Sequence, residues 1–88
     1  MPHIEVVWQR VVAHQGEDFH QIRGKEFTYS VSASTLTPST TNRNLPKCDF
    51  ESALAFVPLE NTVPLQNLQG PSYIYAILMD KRIRQTDW

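Results

Sequence analysis

Cys48 is the only cysteine in the chain, and it follows Pro46-Lys47 where a helix would begin. A thiol in that position can have a lowered pKa, and Lys47 beside it would favour the thiolate. A nucleophile also needs a base, and no histidine is near in sequence, so the fold would have to bring His14 or His20 to it. An inert small side chain in a first turn is the better-supported reading of a free cysteine. His14, Glu17, Asp18 and His20 cluster within seven residues and could in principle hold a transition metal. Zinc sites favour tighter spacing and usually more thiolates. These histidines also straddle a helix end and a strand, so a solvated turn is expected and no metal or cofactor is assigned.

Positive charge carries the next candidate chemistry. Arg23, Lys25, Arg43, Lys47, Lys81, Arg82 and Arg84 hold all of it except Arg10. Were the hairpin tip, the Asn42-Arg43-Asn44 loop and the last helix end to converge, Arg23, Lys25, Arg43 and Lys47 would form a nucleic-acid-binding face. Tyr29, Tyr73 and Tyr75 would then offer stacking surfaces, and Arg and Asn suit guanine and adenine edges. Nine acidic residues oppose these charges and the net charge is -1, so ordinary surface charge is the competing explanation. Asn42 and Asn44 are also simply good turn formers. Gly70-Pro71-Ser72 could present free amides to an anion at a helix start, but it lacks the glycine run and lysine of a phosphate loop. It reads better as a helix stop followed by a helix start. No Ser-His-Asp order, paired catalytic carboxylates, HExxH or dinucleotide fingerprint is present. A chain of this size rarely builds an oriented catalytic cleft alone, so no catalytic residue is assigned and no enzyme is expected.

The elements that must position these residues follow from apolar spacing. Ile4, Val7, Trp8, Val11 and Val12 fall on one helical face, with Pro2 suited to the start and Gly16 to the end, which predicts a helix over about 3–15. Phe27, Tyr29 and Val31 alternate with Thr28 and Ser30 as in a half-buried strand. With Asp18–Arg23 before it, Gly24-Lys25 fits a two-residue type II′ hairpin turn. A third short strand is expected around Ala33–Thr37, with Pro38 ending it or keeping it at an edge. Phe50, Ala53, Leu54 and Val57 mark a second helix. Pro46 would be its cap, Leu45 and Phe50 a hydrophobic staple, and Pro58 its stop. Val63–Gln69 suits one short helical turn closed by Gly70. The run Tyr73–Met79 is apolar on nearly all sides and predicts a buried helix extending to about Arg82, with a strand as the rival.

Together these predict one α+β domain over residues 1–88: an N-terminal helix, a β-hairpin or small antiparallel sheet, then two or three C-terminal helices. A single domain of 88 residues buries a modest core, so a homodimer is expected. The lone cysteine fits a reducing compartment. The first residues lack the pattern of a signal peptide, and the seven-residue apolar run is too short to cross a bilayer. A cytoplasmic protein with no membrane partner is expected.

Asn42-Arg43-Asn44-Leu45-Pro46-Lys47-Cys48-Asp49-Phe50-Glu51, then Gly70-Pro71-Ser72-Tyr73 and Ala76-Ile77-Leu78-Met79-Asp80-Lys81-Arg82-Ile83, resemble small uncharacterised bacterial proteins that often travel on mobile genetic elements. The resemblance covers roughly residues 27 to 83. In such proteins an Asn/Arg loop precedes a helix start, and a Gly-Pro-Ser-Tyr element opens the last helix. Serine more often stands at the place of Cys48, which implies an incidental thiol. The resemblance implies this fold and no particular activity.

The function expected from these residues is that of a small non-enzymatic binding or regulatory protein. Its partner would be a second copy or another protein, met through Trp8, Tyr75 and Trp88. Nucleic-acid binding through the basic loops is the alternative. A small-molecule site or enzyme at a dimer interface is a third.

Overall fold

A computed structural model describes residues 3–21, 24–41 and 43–88. The expectations placed on Pro2, Ile22, Arg23 and Asn42 lie outside the described residues. Helix α1 spans Ile4–Ala13, capped by His3, whose Nδ1 accepts the Glu5 N–H at 3.2 Å. Among the described residues five short strands follow: β1 Phe19–His20, β2 Glu26–Phe27, β3 Tyr29–Ser32, β4 Thr35–Pro38 and β5 Leu45–Pro46. Helix α2 covers Lys47–Ala53, α3 Pro71–Leu78 and α4 Lys81–Arg84. This is the α+β arrangement expected, with three helices after the sheets.

The strands form two antiparallel sheets. Phe19 pairs with Phe27 and His20 with Glu26. In the other sheet β4 lies between β3 and β5. Its register sets Ser30 opposite Thr37, Val31 opposite Leu36, and Leu36 opposite Leu45. The chain changes partner at Thr28, where Ser39 N–H donates to the Thr28 carbonyl at 2.8 Å. Phe27, Tyr29, Leu36 and Leu45 are buried on the inner side, as the alternation required.

Four boundaries differ from the sequence reading. Helix α1 is shorter than 3–15. The β1–β2 connection is no two-residue turn. Gln21 N–H donates to the Lys25 carbonyl at 2.9 Å, and Gly24 N–H donates to the Gln21 carbonyl at 2.7 Å. Gly24, at φ +87°, closes the turn rather than opening it. Pro38 ends β4, one of the two roles expected of it, whereas the second helix, expected to run through Val57 to Pro58, is α-helical only over Lys47–Ala53 and continues as a 3-10 turn to Phe56. The last helix stops at Leu78. Asp80 accepts the Arg82 N–H at 2.9 Å as the cap of a new helix, a role an aspartate fills better than a mid-helix position.

The helices close the other side of the core. Leu45 and Phe50 flank the Pro46 cap of α2 and are both fully buried, the staple geometry expected. Helix α1 packs on α2 and α4, while α3 packs on α2, α4 and β1. Between α2 and α3 the chain makes two 3-10 turns, Leu54–Phe56 and Val63–Leu65. Leu54, Val57, Leu59 and Leu65 turn inward. Leu59 N–H on Met79 sulfur at 3.3 Å and Gln69 N–H on Asp49 Oδ2 at 3.0 Å tether this connection. No helix is long and apolar enough to cross a membrane among the described residues.

Candidate functional site

Among the described basic residues, Lys47 and Arg43 stand at different places along the sheet edge, and Arg23 lies outside the described residues. Lys47 sits where β5 leads into α2, beside the β3–β4 turn, since its N–H donates to the Ser34 carbonyl at 2.8 Å. Its ammonium bonds Glu5 at 2.9 and 3.0 Å, and that hydrogen bond and charge hold the Glu5 carboxyl below its ordinary range. Arg43 is at the other end of the sheet, four residues back along an extended segment, roughly 13 Å away by strand rise. Lys25 lies at the β1–β2 tip. Among the described residues neither Lys25 nor Arg43 has a carboxylate within 4.0 Å.

Arg82 is a structural clamp. Its Nε and one terminal nitrogen straddle Asp80 at 2.9 and 3.0 Å. The guanidinium also donates to Glu17 Oε1 at 2.9 Å and to the Asp18 carbonyl at 2.6 Å. Hydrogen bonds from His14 and Arg82 lower the Glu17 pKa. At Asp80 burial pushes the pKa up, but hydrogen bonds and charge from Arg82 outweigh it and the net shift is downward. Arg10 likewise joins α1 to the C-terminal segment, at 2.9 Å from the Ile83 carbonyl and 2.6 Å from Asp87. Arg84 bonds the Trp88 carbonyl. These arginines hold the fold together.

The histidine cluster is split in the same way. His14 pairs with Glu17 at 3.0 Å and His20 with Glu26 at 3.1 Å. Among the described residues no three His, Cys, Asp or Glu side chains converge as metal ligands would. Cys48 is exposed, its sulfur 4.0 Å from Asp49 Oδ1.

Of the aromatic residues expected at an interface, Trp8 is turned into its own core. Trp8 is 7% exposed. Its ring meets Phe50 edge-on at 5.5 Å, and its Nε1 donates to the Ala33 carbonyl at 3.4 Å. Tyr75 and Trp88 are half-buried against the core. Trp88 Nε1 donates to the Leu78 carbonyl at 2.8 Å and so satisfies an end group of α3. Trp8 is therefore buried in its own core, while Tyr75 and Trp88 keep part of their surface exposed.

Among the described residues Val6 and Val12 leave apolar surface on α1, and two further surfaces stand out. One is apolar: Phe56 is 51% exposed and Val63 64%, and Ala55, Pro58 and Pro64 beside them are exposed as well. Sequence reading passed over Phe56 and Val63 because Phe56 continues an apolar run and Val63 opens a short one. Their one signal was company, since each stands within two residues of a proline that breaks helical spacing. The other is a shallow groove of about 340 Å³ at β3 and β4, lined by Thr28, Tyr29, Ser30, Thr37, Pro38, Ser39 and Thr41. Neither family models, nor curated proteins, nor solved structures offer a match to this chain.

Proposed function

We propose that this chain is a small, non-catalytic binding module that acts through protein–protein contacts, with a second copy of itself as the partner. The exposed pair Phe56 and Val63 carries the reading. Both lie on the one connection between α2 and α3, with Ala55, Pro58 and Pro64 exposed on it as well, and exposed apolar surface gathered in one segment suits a contact. Tethering at Leu59 and Gln69 holds this connection in shape, so little ordering entropy opposes docking. Residues 55–69 contain a single charged side chain, Glu60. Two copies meeting here bring together only one acidic side chain each. A homodimer would also supplement the modest core of an 88-residue chain.

A non-catalytic role is supported by how the titratable groups are used. The carboxylates with lowered pKa values, Glu5, Glu17 and Asp80, each answer to a structural cation. Sedimentation velocity tests the reading. The wild-type protein should sediment as a dimer and Phe56→Asp as a folded monomer. A wild-type monomer throughout the micromolar range, or a dimer indifferent to Phe56→Asp, would overturn it.

A further inference from the structure

We propose that Met79 is a modification site, at which oxidation of the thioether to the sulfoxide by hydrogen peroxide releases the connection that carries Phe56 and Val63. Met79 follows the last residue of α3, and its backbone N–H donates to the Tyr75 carbonyl at 3.0 Å. Its side chain reaches the α2–α3 connection, where the Leu59 N–H donates to Met79 Sδ at 3.3 Å. Among the described residues this is the one hydrogen bond that joins residues 58–68 to another part of the chain. The other bonds of the segment are local: Val63 N–H to Asn61 Oδ1, Leu65 N–H to the Thr62 carbonyl, and Leu68 N–H to the Leu65 carbonyl. Pro58 and Pro64 have no N–H to add. Leu59 is also buried at 4% exposure, so its amide and its side chain are both held.

The acceptor of this bond is the part of it that chemistry can change. A thioether sulfur is a weak acceptor, and Met79 packs on the core while keeping part of its surface exposed, so a small peroxide reaches it. A sulfur lone pair attacks one peroxide oxygen and the O–O bond breaks. That oxygen stays on sulfur, the other leaves as water with both hydrogens, and sulfur gives up two electrons to the peroxide. The sulfoxide is polar and chiral where the thioether was apolar and flexible. Its accepting oxygen stands one bond further out than the sulfur did. The Leu59 N–H must retreat to meet that oxygen or lose its acceptor, and a buried amide left unpaired is costly. Either way the segment between Phe56 and Val63 is no longer held as before. The consequence for self-association rests on the contact surface proposed above: a loosened segment must be ordered again on docking, so oxidised copies associate more weakly.

The test is hydrogen peroxide treatment of Cys48→Ser protein, read by peptide mass spectrometry and amide hydrogen exchange. Removing the exposed thiol leaves Met1 and Met79 as the sulfur groups of the chain. Met79 should gain one oxygen in the folded protein, and protection of the Leu59 amide should fall by about tenfold or more, while α1 and the sheets keep theirs. Methionine sulfoxide reductases should restore it. Cys48→Ser/Met79→Leu keeps Met1 but has no sulfur acceptor, so Leu59 should exchange faster from the start and peroxide should change nothing further. The same loss at Leu59 should occur with Phe56→Asp added, where self-association is removed, so the clip is judged apart from the dimer. In sedimentation velocity, oxidation of Cys48→Ser should raise the dimer dissociation constant by about tenfold, in step with the lost protection. Resistance of Met79 to peroxide in the folded protein, unchanged Leu59 exchange after its oxidation, or a peroxide effect that persists in the Met79→Leu protein would overturn the inference. A protein already monomeric before treatment would contradict self-association alone, and Leu59 exchange would still decide the role of Met79.

Discussion

The guanidinium carbon of Arg82 lies 3.9 Å from the centroid of the Phe19 ring. The stack joins α4 to β1 across most of the chain. It completes a set of contacts in which one side chain serves Asp80, Glu17, the Asp18 carbonyl and an aromatic face. Arg82→Ala should therefore cost about 2–3 kcal/mol, from lost charge-assisted hydrogen bonds and the cation–π contact. Arg82→Lys should recover little of this, because an ammonium cannot reproduce the planar fork. Urea midpoints of the three proteins measure it, and a lysine variant as stable as wild type would show that charge alone suffices.

The same clamp sets an acid limit. Glu17 and Asp80 have folded-state pKa values below their ordinary range. The folded protein then holds fewer protons than the unfolded chain, so this stabilisation is full above about pH 4 and lost as pH falls through the lower folded values. Arg82→Met should be much less stable than wild type at neutral pH, and the gap should narrow near pH 3. A constant gap in urea midpoints at both pH values would remove the clamp as the cause.

Tyr29 makes the opposite prediction. Its hydroxyl donates to the Val11 carbonyl at 2.5 Å and satisfies an end group of α1. Burial is the main force raising its pKa, so the neutral phenol is the folded form. That contribution is intact below about pH 10 and fades above it, as unfolded chains begin to ionise there. Tyr29→Phe should cost about 1–2 kcal/mol at neutral pH by leaving a buried carbonyl unpaired. It should also flatten the alkaline fall in stability, which thermal melts between pH 7 and 11 would show.

Gly70 is required twice over. Its φ is +59°, and an added Cβ would stand 2.5 Å from Leu45 Cδ2. Leu45 is fully buried in the staple of α2 and has little room to yield. Gly70→Ala should cost about 2–3 kcal/mol through left-handed strain and overpacking together. In Gly70→Ala/Leu45→Val the steric part should be relieved, so the double variant should be less destabilised than the sum of the two singles. Strict additivity in urea titrations would place the whole cost in the backbone.

Sequence legibility followed the reach of the signal. Helix α1 and the Leu45–Phe50 staple rest on spacings of a few residues, and both are readable in the chain. The alternation of Phe27, Tyr29 and Val31 with Thr28 and Ser30 distinguishes the inner from the outer side of the strands. Strand β5 was hidden because two residues paired to β4 carry no periodicity of their own. The division of α3 from α4 turned on Asp80, whose capping bond competes with helix continuation over a single residue. Side-chain type says nothing of direction, so the sequence does not show which backbone groups Trp8 and Trp88 bond. Their partners, the Ala33 and Leu78 carbonyls, are supplied by distant backbone. The fate of Arg82 was equally non-local, since its partners Glu17 and Asp18 lie 65 and 64 residues away.

Amide hydrogen exchange over a concentration series tests most directly whether the Phe56–Val63 surface is where two copies meet. Protection within residues 54–69 should rise as protein concentration rises, while residues 28–39 around β3 and β4 remain unchanged. Protection that grows along α1 instead, or nowhere in the chain, would contradict the account.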